Sequence, residues 1–438
     1  MWTDWVTVVT ELVARNRVSR AEDMVMSMVQ TATPTPAAVV PNNAMAYLCG
    51  RWYNAVVRQL SLSTKTFVLQ QPFAPLPLTT HGLWSMFDVV PPRSIVHNML
   101  GGGANQLFSS YCAVVNRLVG MTPGDMDEIL GEDAPVWYAY VKSVKPVPRV
   151  SEIGELFFNW AMIHCPEKAV AGRAEFNSVA NDPVNLAIME MADRTGFVDG
   201  VPSFGISLED ARIAVQRAPG GSLTFDSAQE SGDVSRSWAY GSLVGLPLAD
   251  RFLLGVDGDP GWQRINEKAG QNQVIVELSV ENLATVHALP GSWFHTGALS
   301  LAYHDRATGP DTNGDHGADT GVWRNGAADW ESAFGASGGL ARMVSSLVLV
   351  DGVKMRMTST AQYSPEEQRQ IEESFGGGIW PFTGLGGHGG LTSKVKFDRD
   401  GAAVFSATSR PGTTYVLGAN VAPVASRLAA QEDVAKRG

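Results

Sequence analysis

Along the first third of the chain, apolar residues recur with a spacing close to 3.6, which sets one face of a helix against a core. Trp5, Val8, Val9 and Leu12 share such a face within residues 3–15. Ser19-Arg-Ala-Glu22 has the form of a capping box ahead of Met24, Met26 and Met28. Asn42 or Asn43 is placed to cap a helix running to about Leu60, with Met45, Leu48, Trp52, Val56 and Leu60 on one side. Further helices are predicted over 106–118, 153–164, 183–194 and 208–217. Beyond Gly220 the texture changes. Residues 273–280, 347–358 and 394–397 alternate as strands do, and Asp398-Arg-Asp-Gly401 is a hairpin turn that pairs 402–408 back. Val344–Val350 is a dense apolar run of strand length. Ser364-Pro-Glu-Glu367 supplies the cap, the first-turn proline and the acid of a short helix. The expected fold class is α+β: a helix-rich region over 1–220, and a mixed α/β region with glycine-rich loops over 221–438.

Two stretches break the periodic pattern. Residues 71–92 contain Pro72, Pro75, Pro77, Pro91 and Pro92 together with Phe73, Leu76, Leu83, Trp84, Met86 and Phe87. Proline fixes φ and removes an amide donor, so the segment reads as an extended connector. A connector this apolar has to lie against something, either its own domain or a neighbouring subunit. On this reading Phe73, Trp84, Phe87 and Arg93 are interface candidates. Lys145-Pro-Val-Pro148 reads as a second extended link.

Composition narrows the class. Of 438 residues, 45% are hydrophobic and 18% charged, against about 25% charged in an average soluble protein. Disorder, collagen and coiled coil are excluded. Cys49, Cys112 and Cys165 form an odd, sparse set without C-x-x-C pairing, which fits buried thiols in a reducing compartment better than a disulfide framework or zinc site. No basic n-region precedes an apolar stretch, and no apolar run approaches the ~18 residues of a membrane helix, so a soluble, intracellular protein is expected.

Net charge is 33 − 44 = −11 and is unevenly spread. Residues 151–320 hold 10 basic and 23 acidic side chains, while the flanking parts are nearly balanced. No lysine or arginine run occurs. A dedicated nucleic-acid site needs clustered cations, so tight sequence-specific binding of nucleic acid is not expected.

Motifs with chemistry are sparse. Gly101-Gly-Gly-Ala-Asn105 precedes a helix but lacks the lysine and spacing of a phosphate loop, and reads as a tight turn. Asp311, Asn313, Asp315 and Asp319 have calcium-loop spacing. However, His316 stands where such a loop needs glycine and Val322 where it needs its bidentate glutamate, so a solvated loop is expected. None of the eight histidines pairs with another at H-x-x-x-H spacing, and no G-x-S-x-G marks a nucleophile. The glycine-rich stretch from Gly376 to Gly390 reads as an irregular packing loop. No cofactor, metal ligand or catalytic residue is assigned.

Few charges, many tryptophans and hydrophobic proline-rich loops are what obligate interfaces contain, so a self-assembling structural subunit is expected rather than an enzyme. In Gly82-Leu-Trp-Ser-Met-Phe, in Val90-Pro-Pro-Arg93 and in its Gly/Ala-rich last third, the chain resembles capsid proteins of double-stranded-RNA viruses of fungi and protists, the totivirus-like and partitivirus-like group. The resemblance implies an α-rich, irregular plate-like subunit of an icosahedral shell. Such a shell associates with further copies and with polymerase chains, encloses the genome, and is found as the virion in host cytoplasm. Two alternatives stay open. One is a hydrolase using the region from Tyr303 to Asp319. The other is a carbohydrate- or cation-binding accessory protein using Trp293, Trp323, Trp330 and the Asp311–Asp319 loop.

Overall fold

The structure, a computed structural model, describes residues 44–91, 106–121, 129–146, 148, 150–239, 260–305, 322–323, 330–374, 378–379, 381–383 and 390–428. The elements expected over 3–15 and after Ser19, the Gly101–Asn105 turn, Arg93 and the Asp311–Asp319 loop lie outside them, as does most of the glycine-rich stretch.

The described chain opens with α1 (Ala44–Gln59), β1 (Phe67–Pro75), α2 (Thr80–Phe87) and α3 (Gln106–Val115). Next come α4 (Ala134–Ser143), α5 (Val150–His164), α6 (Ala169–Ala180), α7 (Pro183–Ala192), the short ribbon β2 (Phe197–Val198) and β3 (Val201–Pro202), and α8 (Leu208–Arg217). They are followed by β4 (Gly221–Asp226), α9 (Pro260–Gln271), β5 (Val274–Val280), β6 (Asn282–His287), α10 (Thr296–His304) and α11 (Trp330–Phe334). The last part holds β7 (Arg342–Asp351), β8 (Lys354–Gln362), α12 (Pro365–Ser374), the ribbon β9 (Gly378–Ile379) and β10 (Phe382–Thr383), then β11 (Leu391–Phe397), β12 (Ala402–Ser409) and β13 (Tyr415–Pro423). The fold is α+β, with antiparallel sheets.

Two sheets organise it. The central sheet has the order β1-β13-β7-β6 and the outer sheet β11-β12-β8-β5-β4. The central sheet is covered on both faces, which is why β7 is an apolar run and not an alternation. Val348 and Val350 face a core shared with the outer sheet, where Trp52 and Val56 of α1 and Ile265 of α9 also pack. Leu347 and Leu349 face a second core built with Leu83 and Phe87 of α2, Tyr111 of α3, Val215 of α8 and Leu299 of α10. The outer sheet is one-sided: along β8, Met355, Met357, Ser359 and Ala361 are buried while Lys354, Arg356 and Thr360 are exposed. A third cluster, in the helices α4–α6, gathers Trp137, Phe157, Trp160 and Phe176.

The single strand expected over 347–358 is two strands. Gly352, at φ 63°, turns the chain between them, and β7 and β8 go to different sheets. The content boundary at 220 does not divide the core, because β1 pairs with β13 and α1 packs in the core of the outer sheet. Gly418 sits where β13 crosses β1 beside a bulge, and a Cβ there would overlap the Val68 carbonyl oxygen and the Phe67 ring. Backbone cannot yield as a flexible side chain can. Gly418→Ala is therefore expected to lower stability by about 1–3 kcal/mol or more, read as a drop in urea midpoint at constant slope. A wild-type midpoint would show that the two strands separate freely at this point.

Candidate functional site

The proline-rich segment is where the structure corrects the sequence reading most clearly. It is not extended throughout. β1 takes its first part, and Thr79 then caps α2, its Oγ1 accepting from the Gly82 amide at 3.0 Å. The prolines bracket this helix instead of preventing it: Pro75 and Pro77 precede Thr80, and Pro91 follows Phe87. The signal was present in the spacing of Leu83, Trp84 and Phe87, which places all three on one helical face.

That face points inward. Phe73, Trp84 and Phe87 are 3%, 7% and 0% exposed within a single chain. Trp84 Nε1 donates to the Ile206 carbonyl at 2.7 Å, and Phe87 packs on Phe204 with ring centroids 5.8 Å apart. Their burial is met inside their own chain, so these aromatics do not by themselves call for a neighbouring subunit.

Next to Phe87, Asp88 joins two helices. Its amide donates to the Trp84 carbonyl, closing α2, and its Oδ1 accepts from the Phe108 amide at 2.9 Å, opening α3. Burial pushes its carboxyl up to about 7 against these backbone donors, and Oδ2 is buried without a partner. Cys112 lies near enough to feel that charge, and burial holds its thiol at about 12, which leaves no thiolate for nucleophilic chemistry. Tyr111 Oη accepts from the His295 amide at 3.1 Å, and His295 Nδ1 in turn caps α10 by accepting from the Ala298 amide. These polar groups are engaged in joining helix ends.

The alternative readings meet similar geometry. Asp305 Oδ2 accepts from the Val322 amide at 2.7 Å, and Tyr303 packs against Trp330 and Phe334. Trp293 and Trp323 are buried, with their indole N–H groups bonded to the backbone oxygens of Ser203 and of Ala302 and Asp305. A sugar platform needs exposed rings, and these two are core residues. Among the described residues, no cluster of three or more His, Cys, Asp or Glu is placed to hold a metal ion. No described helix is long and apolar enough to cross a membrane.

What stands out is on the surface. At the corner between α5 and α6, Ile163 is 80% exposed and Val170 66%, with Met162 exposed beside them. Trp160 stacks on His164 at 4.8 Å and on Tyr140 at 6.5 Å, which stiffens the α5 side of this corner. A second apolar site surrounds the N-terminal ends of α2 and α8, where Leu78 is 84% exposed and Val198 and Leu289 are also exposed. Sequence reasoning missed both, since an exposed leucine or isoleucine has the same letter as a buried one. No family model, curated protein or solved structure matches the chain.

Proposed function

We propose that the chain is a self-assembling structural subunit, best read as the capsid protein of an icosahedral double-stranded-RNA virus. Further copies of the chain would be its main partners, and the enclosed genome and polymerase would lie within the shell. The observation that supports this reading is the exposed apolar corner of α5 and α6, where Met162, Ile163 and Val170 stand in solvent on a rigid aromatic base. Large apolar side chains grouped on a well-packed surface mark sites of association. The reading places the protein in the virion and the host cytoplasm.

Light scattering on the eluting full-length chain tests it. The expected result is a species many times the 46.9 kDa of one chain, with closed particles in negative-stain micrographs. A monomer at every concentration would overturn the proposal. Ile163→Glu is expected to reduce the assembled fraction at least about tenfold while leaving the melting of the single chain unchanged, because exposed positions contribute little to folding. Equal loss of folding and assembly would assign Ile163 to the fold.

A further inference from the structure

The outer face of the five-stranded sheet is a basic surface on an acidic protein. Strand register puts Lys394, Ser406, Arg356 and Glu277 in one row across β11, β12, β8 and β5. The next row is Lys396, Val404, Thr358 and Ile275, and Lys354 lies two residues along β8 from Arg356. Paired residues in an antiparallel sheet share a face. Lys354, Arg356, Lys394 and Lys396 are all exposed, with the half-buried Val404 between the two strands that carry them and the half-buried Ile275 on the far side of β8. Three carboxylates share the surface, all towards its β4–β5 side or its rim: Glu277 opposite Arg356, the half-buried Asp226 opposite Ile275, and Glu281, paired with Lys354 at 3.0 Å.

The apolar site at the N-terminal ends of α2 and α8 has the opposite character. Leu208 N donates to Thr80 Oγ1 at 3.2 Å, His81 Nε2 lies 3.8 Å from Asp199, and Gly205 N donates to the Leu289 carbonyl. These contacts draw Leu78, Val198 and Leu289 into one neighbourhood. Asp199, Glu209 and Asp210 stand exposed around it. Asp210 is held below the usual carboxylate range by hydrogen bonds from Ser207, so it stays charged.

We propose that these two surfaces meet between copies, the basic sheet face of one chain docking on the acidic, apolar-centred site of the next. The inference rests on the self-association reading above. Copies carrying a charge of −11 repel one another, and this contact sets opposite charges together where the copies approach. The two surfaces differ, so the contact is head-to-tail, and it builds rings or extended lattices instead of stopping at a dimer. The half-buried Val404 among the cations favours a protein partner with an apolar centre over a phosphate backbone, which offers no apolar surface to bury.

Sedimentation velocity on the full chain tests the proposal. Arg356→Glu with Lys394→Glu should weaken association at least about tenfold, and so should Asp199→Lys with Glu209→Lys. All four substitutions in one chain should restore it, since the charges are then exchanged. Wild-type association should also fall as salt rises. Circular dichroism melts confirm that each variant folds. Wild-type-like association of both double variants, or no recovery in the fourfold variant, would overturn this inference and leave self-assembly standing. A wild-type chain that never associates would remove both readings. Loss of binding to a short polyuridylate by the first double variant, with association unchanged, would reassign the face to a polyanion.

Discussion

Phe87→Ala should destabilise the single chain by about 3–5 kcal/mol, the range for deleting a fully buried phenylalanine. Phe87 is completely enclosed, packs on Phe204 and belongs to the core that α2 forms against the central sheet. A cavity left there cannot collapse easily, because β7, which backs this core, is already packed on its other face. The measurement is urea denaturation of dissociated chain alongside the assembled fraction of what remains folded. A lost assembled fraction with an unchanged urea midpoint would mean that Phe87 is covered by a neighbour, and the core described above would be wrong at α2. Trp84→Ala should behave in the same way, with an added penalty from the Ile206 carbonyl that loses its indole donor.

Asp88→Asn should raise stability at neutral pH and flatten its pH dependence. In the folded chain, burial lifts the Asp88 carboxyl from its ordinary 3.8 to about 7. Between those values the unfolded chain is ionised at this position while the folded chain keeps the proton. The folded state therefore binds more protons, and stability falls as pH rises from about 4 to about 7, then levels off. A shift of this size corresponds to about 4 kcal/mol across the window. Asparagine carries no charge at any pH, and its side-chain oxygen can still accept from the Phe108 amide. Comparing urea midpoints of wild type and variant near pH 4.5, 6 and 8 isolates this group from other carboxylates. The variant should gain on the wild type step by step as pH rises. A constant deficit at all three values would show that the carboxylate is charged and needed in the fold.

Much of the local structure was legible in the sequence, because its causes are local. The helix expected at 208–217 is α8 with the same ends, fixed by the Ser207–Asp210 capping box. Ser364 and Glu367 cap α12 reciprocally, as their spacing implied. The hairpin through Asp398-Arg-Asp-Gly401 pairs β11 with β12, and Gly401, at φ 81°, occupies the left-handed position that such a turn assigns to glycine. Where the reading failed, a strong local rule was extended too far. Five prolines between 71 and 92 suggested an extended chain, but proline restricts only its own residue and the one before it. The stretch from Thr79 to Phe87 contains no proline, and it folds as a helix.

The sequence alone determined the α+β class, the positions of α1, α3, α5, α7, α8 and α12 and of β5, β11, β12 and the β7–β8 stretch, and a charge distribution with its excess in the middle of the chain. Which faces those elements bury was decided by tertiary structure. Whether Phe87 meets its own core or a neighbour depends on β1, which pairs with β13 some 350 residues later in the chain. Whether Lys394 and Arg356 share a surface depends on the register of β8 against the β11–β12 hairpin, which follows it only after α12 and the β9–β10 ribbon. Burial and charge complementarity are properties of pairs brought together by distant contacts, and a linear pattern records only the members of each pair.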